Sequence, residues 1–237
     1  LVWNGSRQVL FLNGKSHAQV SNQTSNKCDT NGALLGCVRL MLSKPELRYF
    51  FSGRMDQVRF SKVARYVTDF TPARRFESDS NTIALYHFDE GQGDVLKDSS
   101  GNGHHGKIVG AKWVKGDGAH MPVAESSHAL QFDGEKAQAV VIANVVPDEP
   151  TVLTIEAIAS GPPLSQGSVI VRAGYIMLSR NVVNRWTAAL KGADASFASK
   201  EVIANEGTHL AAVLENGEAR FYVNGKLTGA EKVKLPM

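Results

Sequence analysis

Short apolar runs closed by turn residues recur roughly every 8 to 12 positions, and this punctuation constrains the fold of the 237-residue chain more than any other feature. Val9 to Leu12 ends at Asn13-Gly14, Ile83 to Phe88 at Asp89-Glu90-Gly91, and Ala129 to Phe132 at Asp133-Gly134. Gly and Asn tolerate the positive φ that tight hairpins require. Further strand-sized runs are Val38 to Leu42, Tyr49 to Phe51, Met55 to Phe60, Lys107 to Val109, Ala139 to Ile142 and Val152 to Ile158. Ser168 to Val171, Tyr175 to Leu178, Val182 to Leu190, His209 to Leu214 and Ala219 to Val223 complete the set. No long helical pattern alternates with them, so an antiparallel all-β sandwich is expected rather than a parallel α/β sheet.

The second constraint is a repeat. Asn4-Gly5 precedes QVLFLNGK (Gln8 to Lys15), and Asn216-Gly217 precedes EARFYVNGK (Glu218 to Lys226). The same hairpin thus occurs twice, about one domain apart, which points to duplication. Residues 1–66 then read as the C-terminal part of a first module, 67–81 as a linker carrying Thr71-Pro72, and 82–237 as a second module.

Composition narrows the function classes. Apolar residues at 43% and charged residues at 21% suit a soluble globular protein with a real core. The net charge of +3 is unclustered, with no Lys/Arg block among aromatics, so nucleic-acid binding has no footprint. Ala73-Arg74-Arg75 reads as a solvated turn in the linker. No apolar stretch approaches the roughly 20 residues of a membrane-spanning helix. Cys28 and Cys37 flank an Asn31-Gly32 turn. Two readings stand: a disulfide contributing about 3 kcal/mol in an oxidising compartment, or two buried thiols. Without a second pair or a nearby His they are no zinc site.

Several segments resemble bacterial laminin-G-like, concanavalin A-like jelly-roll domains. IALYHFDEGQGDVLKDSSGNGHHGKIVGAKWV (Ile83 to Val114) is similar to the opening of that family, and ALQFDG (Ala129 to Gly134) to its next strand. TVLTIEAIAS resembles the central strand, with Ile158 where the family commonly has Trp; HLAAVLENGEARFYVNGK resembles the late hairpin. FFSGRMDQVRFSKVARY (Phe50 to Tyr66) is similar to the closing strand. The resemblance implies two partial tandem copies of an antiparallel jelly-roll β-sandwich. A permuted arrangement, in which 33–61 complete 82–237, would remove exposed sheet edges; two partial domains are the alternative.

The loop Asp98-Ser99-Ser100-Gly101-Asn102-Gly103 offers the oxygen donors a calcium ion needs. Alternation places Asp56 on the face of Val58 and Phe60, where an unpaired acid is costly. The resemblance implies that Asp98, Asn102 and Asp56 lie near one structural Ca²⁺. The alternative is an Asx-turn loop and an acid that caps backbone N–H groups. His104 and His105 are adjacent and face apart, so both are expected to be solvated.

Glycosidases on this fold need two carboxylates about 5 to 9.5 Å apart. Glu77 and Asp79 fall in the linker, and Asp89 and Glu90 are adjacent at a turn. No nucleophile elbow, P-loop or dinucleotide fingerprint occurs, so no catalysis is expected. For ligand binding the candidates are Arg185 with Trp186, and Arg220 with Tyr222, outward of Ala219, Phe221 and Val223; core packing is the competing role for each aromatic. The expectation is a non-catalytic recognition or adhesion module, glycan-binding by resemblance, in a larger bacterial protein that is extracellular, at the cell surface or periplasmic. Its partners would be a carbohydrate or protein ligand and the rest of a multidomain chain. A spacer without a ligand is the alternative, and a glycosidase the remote one.

Overall fold

The computed structural model describes residues 2–3, 7–12, 15–21, 32–40, 46–116, 128–134, 138–146, 152–162, 168–174, 176–181, 183, 185–190, 196–199 and 207–233. Of residues 2–21 only the strands and their pairing are described. These begin with β1 (Val2–Trp3), β2 (Arg7–Leu12) and β3 (Lys15–Ser21), which form a three-stranded antiparallel sheet of their own. Next come β4 (Ala33–Leu35), β5 (Val38–Leu40), β6 (Glu46–Arg48) and β7 (Ser52–Ser61). Then follow β8 (Thr82–Tyr86), β9 (Val95–Leu96), β10 (Gly106–Val109), β11 (Lys112–Lys115), β12 (His128–Asp133) and β13 (Ala139–Ile142). The series continues with β14 (Val152–Ser160), β15 (Ser168–Ala173), β16 (Ile176–Arg180) and β17 (Trp186–Leu190). It closes with β18 (Ser196–Ala198), β19 (Thr208–Glu215), β20 (Glu218–Val223) and β21 (Lys226–Lys232). No helix occurs among the described residues.

The fold is an all-β sandwich of two eight-stranded antiparallel sheets. One runs β18-β17-β16-β15-β4-β13-β10-β9; the other runs β11-β12-β7-β14-β19-β20-β21, with β8 also paired to β7. The short strands β5 and β6 form a separate pair. Between the two large sheets lies one core, fed by alternate residues of each strand. On β14 these are Leu153, Ile155, Ala157 and Ala159; Leu35, Val140, Ile170 and Trp186 come from the opposite sheet. A fully buried Leu or Ile contributes about 1.5–3 kcal/mol relative to an exposed one, so the packed faces hold the sheets together.

Chain order and sheet order part company at β4 and β7. Both precede residues 82–233 in sequence, yet each sits inside a sheet built mainly from those residues. β4 pairs with β13 and β15. β7 pairs with β12 through its first half, with β8 through its second, and with β14 along nearly its whole length.

Residues 62–81 leave β7 and return to β8 as a closed loop. Its ends meet where Lys62 N donates to Asn81 O at 2.9 Å. Rather than spanning space between modules, this segment lies as a strap across the outer face of the β7 sheet. Tyr66 and Phe70 pack on Tyr222, while Phe76 is fully buried with Leu85 and Ile158. The strap supplies the apolar cover that an outward Ile158 needs.

Tyr49 to Phe51, expected as a strand, is not one: Tyr49 adopts φ 55° and is exposed, which turns the chain. Its carbonyl instead accepts a hydrogen bond from Val169 N at 2.8 Å. Cys37 carries a buried free thiol that burial pushes up to about 11; Cys28 lies outside the described residues.

Candidate functional site

Among the described residues, a dense polar arrangement sits under the strap, and it includes none of the expected site residues. Alternation sends Arg59 of β7, Glu156 of β14 and His209 of β19 to the outer face, opposite to the core-facing Phe60, Ile155 and Leu210. Glu156 is fully buried. Its Oε1 accepts from Arg59 Nε at 2.7 Å and from Nη2 at 2.6 Å. Its Oε2 accepts from the Tyr66 hydroxyl at 2.7 Å and lies 2.9 Å from His209 Nε2. Burial alone would raise the Glu156 carboxyl. The His209 contact, the Arg59 charge and the Tyr66 hydroxyl outweigh it and hold the group below its ordinary value.

Aromatic rings close this cluster. The rings of Tyr66, Phe70 and Phe76 stand edge-on to His209, with centroids 6.2, 5.5 and 5.7 Å away. The Arg59 guanidinium lies over Phe76 at 4.9 Å and donates through Nη1 to Glu77 O at 3.0 Å. Burial first, then the neighbouring Glu156, raise the Tyr66 hydroxyl far above its ordinary value, so it remains a donor. Each polar side chain here bonds to another across three strands and the strap. The arrangement clamps the strap rather than presenting a free nucleophile or base.

Three further contacts fasten the strap. Arg65 grips Asp79 bidentately at 2.8 and 3.0 Å, which holds that carboxylate well below its usual range. Gln57 donates to Arg74 O and accepts from Phe76 N, at 2.9 and 2.8 Å. Phe70 N donates to Gly225 O at 2.8 Å, and Asp69 accepts from Leu227 N and Lys226 Nζ at 2.8 and 3.1 Å.

The expected ligand residues do not converge. Trp186 points into the core with 1% exposure, its ring stacked beneath the Arg180 guanidinium at 5.1 Å. Its neighbour Arg185 is exposed just before β17, where its backbone N donates to Asn181 Oδ1. Arg220 and Tyr222 face outward from β20 as alternation requires, but on the opposite sheet from Trp186. There the strap covers Tyr222, and Arg220 pairs with Glu215 at 2.6 Å. Sequence alternation cannot see a distant segment folding back over a sheet face, so both aromatics are interior and offer no ring to a ligand.

The Asp98 loop forms, and the Asp98 carboxylate is directed at backbone hydrogens. Asp98 Oδ1 accepts from Leu85 N at 3.0 Å and Ser100 N at 2.9 Å; Oδ2 accepts from His104 N at 2.9 Å. Burial opposes ionisation of Asp98, but these amide donors outweigh it and lower the group. Asn102 turns its Nδ2 toward Thr82 O and Ile83 O, at 3.0 and 2.9 Å. The half-buried His104 and exposed His105 flank it, with His105 Nδ1 accepting from Asp98 N at 3.0 Å. Asp56 is buried, but a β-bulge opposite Ile158 and Ala159 breaks the alternation there. Met55, not Asp56, joins Val58 and Phe60 in the core. No group of three or more His, Cys, Asp or Glu able to hold a metal occurs among the described residues. Asp98 thus makes the backbone-capping bonds of an Asx-turn loop.

Among the described residues, one row on the outer face of the β4 sheet keeps exposed side chains, although Val169, Ser179 and Thr187 on the same face are buried. Register partners run Val95–Lys107–Val141–Leu34–Arg172 across five of its strands. The row continues through Met177, Ala189 and Ser196 on the remaining three. Val95 and Val141 are 46% and 41% exposed. Lys107 and Arg172 stand three strand spacings, about 14 Å, apart, with the apolar Val141 and Leu34 between them. No carboxylate lies in the row. No signal in the sequence marks this row, because its residues come from eight separate segments.

The chain was compared with protein-family models, curated proteins and solved structures, and none matches it.

Proposed function

We propose that this chain is a non-catalytic recognition module of the laminin-G-like jelly-roll type, working outside the cytoplasm. It would hold a carbohydrate on the exposed row of the outer face of the β4 sheet. The carrying observation is the contrast between the two outer faces. On the β7 face the strap covers Tyr222, Ile158 and the Glu156 cluster, whereas the β4 face displays a row with two cations, apolar neighbours and no acid. Such a row suits an acidic glycan, whose carboxylate or sulfate groups would meet Lys107 and Arg172. The non-catalytic part of the reading is supported by Glu156, whose oxygens are enclosed by Arg59, Tyr66 and His209.

A glycan array that includes acidic polysaccharides tests this reading. Binding that is lost in Val141→Asp, and weakened in Lys107→Ala or Arg172→Ala at unchanged stability, is the expected result. No binding to any glycan by the folded protein removes it and leaves the second reading, a spacer without a ligand. One observation favours that second reading: the described row contains no aromatic ring, and ligand sites commonly use aromatic side chains.

A further inference from the structure

We infer that the hairpin β2–β3 is the last hairpin of a second sandwich of the same kind, and that the free edge of β1 is built to pair with a strand like β14 from another copy of this fold. Aligning Lys15 with Lys226 and reading backwards without a gap sets Phe11 against Tyr222 and Leu10 against Phe221. The β2–β3 ladder shifts register between Leu10 and Phe11, and the β20–β21 ladder between Phe221 and Tyr222. The bulge therefore falls at the same step of both hairpins. Bulges re-aim a strand at a defined position, and two common hairpins have no reason to share one by chance.

The alignment also carries the neighbouring strand. Val2 pairs with Val9 as Val213 pairs with Arg220, which makes β1 the counterpart of β19. In the complete sandwich the second edge of β19 is occupied by β14, through Leu153 and Thr154 opposite Leu214 and Val213. β1–β3 pair with no other strand among the described residues. The equivalent place beside β14 is already filled by β19, with β20 and β21 beyond it, so β1–β3 have no room in this sandwich. Their counterpart partner is an alternating apolar strand of β14's pattern, and only another copy of the fold supplies it in this register. The sandwich is thus residues 32–233, and the boundary between units falls within 22–31 rather than at the strap.

Two measurements test this. In the full chain, a protease site is inserted between Asn26 and Lys27 and, separately, between Ser78 and Asp79. Cleavage at the first is expected to release the N-terminal piece on gel filtration and leave the unfolding midpoint unchanged. Cleavage at the second is expected to leave both pieces associated, because β4 and β7 remain inside the sheets. Retention of the N-terminal piece, or a fall in the midpoint on its release, overturns the inference. Second, residues 32–212 are joined directly ahead of Val2 of the full chain, and amide exchange is followed at Arg7–Leu12. Slowing by about a hundredfold or more over the unextended chain is expected if β1 gains its strand partner. Equal exchange rates in the two proteins overturn it.

Discussion

Glu156 Oε2 lies 2.9 Å from His209 Nε2 although the strand register sets Glu156 opposite Ala211 and His209 opposite Ile158. The contact is diagonal, within reach of long side chains on one sheet face. It ties β14 to β19 while Arg59 ties β14 to β7, and Tyr66 brings in the strap. Replacing Glu156 by Gln would leave Arg59 buried without its counter-charge. The expected loss is about 3–5 kcal/mol, read from urea unfolding. A loss below about 1 kcal/mol would show that the cluster does not hold the strap.

Acid should expose the same cluster. Glu156 is held below its ordinary value of 4.5, so its contribution is complete above that pH and is lost as pH falls through the lower, folded value. Wild-type stability should therefore fall below about pH 4.5 more steeply than that of Glu156→Gln. Parallel acid titrations of the two proteins would contradict this. Asp79 and Asp98 are also lowered and titrate in both proteins, so the difference curve isolates Glu156.

Gly225 is where the strap meets the β20–β21 turn. It adopts φ 76°, and a Cβ there would strike the Phe70 carbonyl. Gly225→Ala should cost more than about 1 kcal/mol, since strain and collision act together. Exchange of the Phe70 amide, which donates to Gly225, should accelerate. An unchanged Phe70 amide would mean that the strap is held without this contact.

Trp186→Ala separates the core role from the ligand role. Removing a fully buried Trp should cost about 3–5 kcal/mol. The glycan profile of the remaining folded protein should match that of the wild type. Selective loss of binding at full stability would restore Trp186 as a ligand residue.

Asp98→Ala removes an acceptor of three backbone donors and should cost at least about 2 kcal/mol. Thermal unfolding should be the same with added calcium and with chelator. A calcium-dependent rise of several degrees would return the cation to this loop.

Much of the strand inventory was legible because it rests on local chemistry. β13 matches its apolar run, and β7, β14 and β19 extend theirs by a few residues. The short strands β4, β6, β9 and β18 were missed, since two or three residues carry too little periodicity. β21 was missed for another reason: its polar, exposed sequence is that of a protected edge. The Asp98 loop was readable as a turn that gathers acceptors, but which donors fill it depends on β8 lying alongside. Arg59, Glu156 and His209 sat in strands without a distinguishing spacing, 97 and 53 residues apart in successive pairs.

By itself the sequence determined that the chain is built of antiparallel strands, where most of them lie, and that one hairpin occurs twice. Turn chemistry and side-chain alternation act over a few residues, and both are written locally. Only the tertiary structure decided that β4 and β7 enter the middle of the sheets. The same holds for the strap that covers part of one outer face, for the core position of Trp186 and for the place of Tyr222 beneath the strap. Those outcomes depend on which distant segment covers which face. That choice is made by burying apolar area and pairing backbone groups across the whole fold, and no local pattern encodes it.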